Sequence, residues 1–194
     1  MENAQHHSIF ETARGFMGVT WNTVGVTNMH LPTDSAGSAR RLLQRKAGDS
    51  SAAEPTGPIK EAIAAVQRYF NGESIDFTDI TLDLATRSTF DQKVYLAVRR
   101  IGWGRTTTYG DVARLIGRGP QAARDVGQAM AHNPVPVIIP CHRVLAAGGK
   151  LGGFSAPGGV DTKLHMLELE GIQLAPPPRR GPQGDASGQG SFNF

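Results

Sequence analysis

Three prolines set into an apolar run, Asn133-Pro-Val-Pro-Val-Ile-Ile-Pro140, constrain this chain more than any other feature. A proline lacks the backbone N–H and biases the residue before it away from helical geometry, so neither a helix nor an inner strand can hold the run. A stiff, extended segment is expected, delivering Cys141-His-Arg-Val144 at one defined place. Cys141 is the chain's single cysteine. One cysteine cannot close an internal disulfide or supply the paired thiolates of a structural zinc site, so no metal is expected. A lone buried cysteine is most often inert, and its neighbours decide whether it reacts. Here His142 is the natural base, and Arg143 or the start of a helical turn would favour a thiolate. Adjacent residues on a turn do not face each other, so the imidazole is expected to act through a bridging water.

Turn signals divide the rest of the chain. Gly15, Gly18 and Gly25 punctuate a β meander or hairpin over Ile9 to His30, and Leu31-Pro-Thr-Asp34 begins a turn. Ala39 to Lys46 reads as a short basic helix, and Ala47 to Pro58 as a Ser, Ala, Gly and Pro linker. Ile59, Ile63, Val66 and Phe70 fall at helical spacing, with Asn71-Gly72 closing that helix. Ile75 to Leu84 alternates and reads as a strand, and Ala85-Thr-Arg-Ser88 marks a domain boundary. Beyond it, Phe90, Val94, Tyr95, Val98 and Ile101 mark a helix that ends at Gly102-Trp-Gly104.

Thr108-Tyr-Gly-Asp111 has the form of a capping box, opening a helix with Val112, Leu115 and Ile116 turned inward. After the break at Gly117-Arg-Gly-Pro120, a second helix over Gln121 to His132 buries Ala122, Ala123, Val126, Ala129 and Met130. The pair is a helix-turn-helix candidate. The outer face of the second helix, Arg124, Gly127, Gln128 and Ala131, is too small for sequence readout, which normally uses several long hydrogen-bonding side chains. It suits close approach to a groove, with Arg124 as a wedge when a base leaves the stack. Packing within its own domain is the alternative this segment leaves open.

From Arg87 to Gly171 there are eleven Lys or Arg against six Asp or Glu, net +5 in a chain of net +3. That makes this half the expected contact half, although charge alone also fits a solvated surface. Past the Gly148-Gly149 turn, Lys150 to Phe154 is expected to return as a strand, and Ser155 to Gly159 to form a lid loop. A last helix over Val160 to Glu170 packs Val160, Leu164 and Leu167. Glu170 could orient His142 as a third residue does in a catalytic triad, or sit solvated at the helix end, and spacing leaves both open. Pro176 to Phe194 is rich in Pro, Gly, Ser and Gln, the composition of a disordered tail. No apolar run approaches the roughly 20 residues of a membrane helix, and Met1 to His7 lacks the basic and apolar pattern of a secretion signal. A cytoplasmic protein is expected, or a nuclear one in a eukaryote.

Pro140-Cys-His-Arg-Val144, preceded by Asn133-Pro-Val-Pro-Val-Ile-Ile, closely resembles the active-site motif of the O6-alkylguanine-DNA alkyltransferases, the methylated-DNA–protein-cysteine methyltransferases. The resemblance runs from Phe90 to about Gly171, through Thr107-Thr-Tyr-Gly-Asp-Val-Ala113, Ala123-Arg-Asp-Val-Gly127 and Lys163 to Glu170, and weakly into the first half. It implies an α+β protein. A small N-terminal ribonuclease H-like sheet-and-helix domain over 1–86 would precede a mostly helical, winged-helix-like domain with a helix-turn-helix over 87–174, and then the tail over 175–194. It implies single-turnover repair of O6-alkylguanine, and of O4-alkylthymine, in double-stranded DNA by a monomer without a cofactor, the base being flipped through the minor groove.

The resemblance also assigns residues. Cys141 would accept the alkyl group, with His142 as its water-mediated base, Glu170 completing the relay and Asn133 bracing the turn before it. Tyr109, Met130, Val144, Phe154, Ser155 and Lys163 would serve the base pocket. Arg124 would fill the vacated stack, and Thr108, Tyr109, Ala123, Gly127 and Gln128 would meet DNA. Three departures bear on this. Asp125 stands where many relatives carry Ala, Phe154 replaces a common Tyr, and Ala156-Pro157 lengthens the lid loop. Two rival readings are a hydrolase using the Cys-His pair and a plain helix-turn-helix transcription factor. A third, a binding-only relative, would lack the acceptor cysteine.

Overall fold

A computed structural model describes residues 4–152 and 159–174. The β meander forms as β1 (Gln5–Thr12), β2 (Gly15–Trp21) and β3 (Val26–Met29), beginning four residues before Ile9. Phe10 faces Met17 across the β1–β2 hairpin. The strand order is β3-β2-β1-β4, where β4 (Ser50–Ala52) pairs parallel to β1 inside the stretch expected to be linker. Ser50 and Ser51 hydroxyls bond His7 and His6 there, which ties down an otherwise featureless segment.

Two helices cover the sheet, which is why β2 is buried from Met17 to Trp21 without alternation. Gly18 lies against Leu43 of α1 (Ala36–Ala47), and Met17, Val19 and Trp21 join the core that holds Ile59, Ala62, Ile63 and Val66 of α2 (Gly57–Phe70). The start of α1 lies three residues before Ala39 because the Ser35 hydroxyl accepts the Ser38 N–H, a cap worth about 1 kcal/mol.

The expected strand over Ile75 to Leu84 does not form. Asp76 Oδ1 accepts the Thr78 N–H, and the Arg99 guanidinium takes the carbonyls of Phe77, Thr78 and Ile80. Local side-chain bonds thus satisfy a backbone that a sheet neighbour would otherwise serve. One bridge remains, Leu82 to Val26, with Val26 N–H on Thr81 O at 3.0 Å.

The second half is built on α3 (Thr89–Arg99), α4 (Tyr109–Leu115) and α5 (Ala123–Ala131). Ser88 caps α3, and the capping box at α4 is complete, Thr108 Oγ1 accepting the Asp111 N–H while Asp111 accepts the Thr108 N–H. Val94 and Val98 of α3, Val112 of α4, and Val126, Ala129 and Met130 of α5 form the core, and Tyr95 Oη donates to Ala129 O at 3.0 Å. Leu115, expected inside, is 69% exposed. The helix is two turns long, with Val112 and Ala113 buried and Ile116, just past its end, partly buried against the core, so its last turn turns Leu115 outward. Between α4 and α5, Gly117 at φ 74° and a 3-10 turn at Pro120–Ala122 make the break.

The proline run is not extended. It folds into a compact turn in which the Ile139 N–H reaches Val135 O at 2.9 Å, Pro136 bridges Ile139, and Val137 sits at φ 77°. Each proline restrains its predecessor, but Val137 lies between two of these restraints and takes the left-handed region, which costs a β-branched residue roughly 1–3 kcal/mol. Complete burial of Val135, Val137 and Ile139 holds it there. Lys150 to Gly152 likewise forms no strand. The partner of β5 (Thr107–Thr108) is β6 (Val144–Leu145), in parallel. The chain closes with α6 (Gly159–Leu169), which buries Leu164 and Leu167 and leaves Val160 half-buried. Phe154, the lid loop up to 158 and the tail over 175–194 lie outside the described residues. Among the described residues no helix is long and apolar enough to cross a membrane.

Candidate active site

Cys141 opens a 3-10 turn, Cys141–Arg143, and is 6% exposed. The turn is held from three directions. Behind it, Asn133 Nδ2 donates to Ile139 O at 2.7 Å while Asn133 Oδ1 accepts the Val135 N–H at 3.0 Å, so one buried amide clamps both ends of the proline turn. Beside it, β5–β6 pairing sets Thr107 against Val144 and brings the start of α4 to the site. Across from it, the end of α6 supplies Glu170.

Glu170 is buried and not a solvated helix end. His142 Nε2 lies 2.7 Å from Oε1, and Arg143 Nε donates to Oε2 at 2.8 Å and Nη2 to Oε1 at 2.9 Å. The Gly104 N–H reaches Oε2 at 3.3 Å, and Tyr69 Oη donates to Oε1 at 2.9 Å. Burial alone would raise this carboxyl, but the bonds from His142 and Arg143 outweigh it and bring its pKa down to about 2. A carboxylate at Nε2 requires the Nε2–H tautomer, which leaves Nδ1 as the acceptor. Nδ1 is buried and has no hydrogen-bond partner among the described residues. Burial lowers the His142 pKa against the pull of Glu170, so the imidazole is neutral and able to take a proton.

Burial also pushes the Cys141 thiol up, while the Asn133 side chain and the Lys163 charge pull it down. The expectation that neighbours would make a low-pKa thiol is therefore corrected: desolvation is the larger effect. Lys163 has no accessible surface. Its Nζ donates to Val144 O at 2.6 Å and lies 5.9 Å from the centre of the Tyr109 ring. Burial brings its pKa down to about 8.

The other expected positions divide by side. Val144, directly after the turn, and Met130 of α5 are buried, and Tyr109 is half-buried with Gly152 packed on its ring. Arg124 and Gln128 are exposed on α5, Ala123 and Gly127 are half-buried, and a Cβ added at Gly127 would meet nothing within 4 Å. The Thr108 hydroxyl is committed to the cap of α4. Sequence reasoning missed Tyr69 and the part Arg143 plays on Glu170. The missing signal was long-range, since Tyr69 lies 101 positions from Glu170. Among the described residues no group of three or more His, Cys, Asp or Glu could hold a metal ion.

Residues 89–172 match the family described as 6-O-methylguanine DNA methyltransferase, DNA binding domain. The methylated-DNA–protein-cysteine methyltransferase of Metallosphaera sedula is 45% identical over 112 residues, which is 58% of this chain and 67% of that protein. Its namesake from Mycobacterium tuberculosis is 46% identical over 115 residues, 59% of this chain and 66% of that one. In three dimensions the chain is similar to the crystal structure of the M. tuberculosis O6-methylguanine methyltransferase, with TM-score 0.67 and 32% identity over 86% of this chain and 92% of that chain. A structure of M. tuberculosis OGT in complex with DNA gives TM-score 0.66 at 31% identity, covering 86% and 93%.

Proposed function

The chain belongs to the methylated-DNA–protein-cysteine methyltransferase family, and from that premise we propose that it repairs alkylated DNA by moving the alkyl group onto Cys141. The observation that carries this reading is the buried relay, Glu170 on His142 Nε2 with Nδ1 left open, adjacent to the chain's single thiol. The substrates are O6-alkylguanine, and O4-alkylthymine, in duplex DNA.

Nδ1 of His142 takes the thiol proton through a water, and the thiolate attacks the alkyl carbon bonded to the guanine oxygen. A sulfur–carbon bond forms as the carbon–oxygen bond breaks. The electron pair leaves with the oxygen, and the proton taken from the thiol passes to the base, giving neutral guanine and a thioether. A thioether is stable and the chain has no second thiol to remove it, so each molecule reacts once.

For attack, the base must leave the stack. Arg124, exposed on α5, fills the gap on the minor-groove side, and Tyr109 presses on the target phosphate. Ala123, Gly127 and Gln128 face the DNA backbone, while Met130 and Val144 line the base pocket, to which the resemblance also assigns Phe154 and Ser155. The small face of α5 supports close approach, and the pairing of β5 with β6 supports a winged-helix-like unit over 87–174. The β-sheet with α1 and α2 supports a ribonuclease H-like unit over 1–86. We place the protein as a monomer in the compartment that holds the DNA, the cytoplasm, or the nucleus of a eukaryote.

Mass spectrometry after incubation with a duplex containing O6-methylguanine tests the reading. One methyl group on Cys141 is expected, and none on a Cys141→Ala variant that still binds the duplex. An unmodified Cys141, or a methyl gained by the variant, would overturn it.

A further inference from the structure

Tyr69 comes from the first half of the chain, 73 positions from His142, yet its hydroxyl lies inside the relay. The ring is fully buried and packs edge-on against Phe70 at 5.1 Å and Trp103 at 5.4 Å, and tilted against Phe77 at 5.9 Å. A phenol gripped on several sides cannot follow a carboxylate that moves. Its oxygen stands 2.9 Å from Glu170 Oε1 and 3.3 Å from His142 Nε2, so it is a fixed donor at the atom where carboxylate and imidazole meet. Burial and the adjacent Glu170 hold the phenol far above its ordinary pKa, which keeps it a donor at any working pH.

The other charged or titratable groups around His142 are Glu170 at the end of α6, Lys163 on α6, and Cys141 and Arg143 on its own turn. Arg143 moves with that turn, whereas Tyr69 is anchored in α2 against the sheet. We propose that Tyr69 is a positioning residue for alkyl transfer: its hydroxyl fixes the Glu170 carboxylate, and through it the plane and tautomer of His142. The first half of the chain then completes the relay as well as supporting it. The kinetic part of this inference rests on the alkyl-transfer reading.

Tyr69→Phe keeps the ring and removes only the donor. Single-turnover methyl transfer from an O6-methylguanine duplex is followed against pH for the full chain, Y69F, E170Q and the double variant. Y69F is expected to slow transfer about tenfold, the effect of one charge-assisted hydrogen bond. A carboxylate that has lost a donor draws harder on the imidazole, so the acid limb of the profile moves to higher pH. In the E170Q background Y69F is expected to add little, because its effect passes through Glu170. A wild-type rate and profile in Y69F, or losses that multiply in the double variant as those of an independent packing defect would, overturn the proposal. NMR of the His142 ring nitrogens separates this from failure of the repair reading. If the wild type transfers no methyl, that reading falls, and the positioning role stands only if Y69F changes the His142 tautomer signals or titration.

Discussion

Lys163 and Cys141 set each other's charge. Burial disfavours the ionised form of both, pushing the thiol up and the ammonium down to about 8, and each ionised partner pulls the other back. The resemblance gave Lys163 to the substrate. Among the described residues its Nζ meets the Val144 carbonyl and the Tyr109 ring, and its charge acts on the Cys141 thiol. Lys163→Met keeps the length of the stem and removes the cation. Without it the thiol rises further, so at a fixed pH less thiolate forms. Each unit of that rise costs about tenfold in thiolate fraction. Transfer from a free O6-alkylguanine base, measured across pH, is expected to slow several-fold at neutrality, with its alkaline rise displaced upward. A lower rate with an undisplaced profile would leave Lys163 only a packing role.

At the scale of elements, the α4–α5 pair shows what a chain of residues reveals and what it withholds. Thr108 and Asp111 are three apart, and a capping box needs no distant partner, so the start of α4 was legible. So was the apolar stripe of α5, whose Val126, Ala129 and Met130 are all buried. Leu115 was not, because periodicity reports one face of a helix but not how far the neighbouring helices extend along it. The same limit explains the Ile75 to Leu84 segment, where the deciding bonds come from Arg99. It also explains Glu170, whose burial depends on Tyr69, Gly104 and Arg143 arriving together. That Asn133 holds the segment leading into the turn of Cys141 and His142 was legible because their motif is local. Gly127 tests the reading of α5 as a contact face. In the free protein a Cβ there enters open space, so Gly127→Ala should stabilise the helix by up to about 1 kcal/mol and raise the melting temperature. Against DNA the added methyl would hold the helix off the groove, so duplex affinity should fall in the same variant. A gain in stability with unchanged affinity would remove α5 from the interface.

At the scale of the molecule, one core cluster of the described residues runs from Phe10 and Met17 of the sheet through Tyr69 to Val126, Ile139 and Cys141, so the relay and the fold stand or fall together. The consequence can be read from acid stability. Glu170 has a folded pKa of about 2 against an ordinary 4.5, and burial sets His142 below its ordinary 6.5. For both, the unfolded chain binds protons that the native chain refuses, so stability rises with pH and falls as acid is added. The His142 contribution starts to be lost below about pH 6.5. That of Glu170 is complete above about pH 4.5 and disappears as pH falls toward about 2, on the order of 3 kcal/mol in all. Glu170→Gln cannot titrate, and it leaves Arg143 buried without its carboxylate. Its stability should therefore be lower at neutral pH and should change less than that of the wild type between about pH 4.5 and about pH 2. Urea denaturation midpoints taken at a series of pH values would show this. If the variant loses stability over that interval as steeply as the wild type, the proton uptake belongs to other carboxylates, and Glu170 is not the ionised anchor of the site.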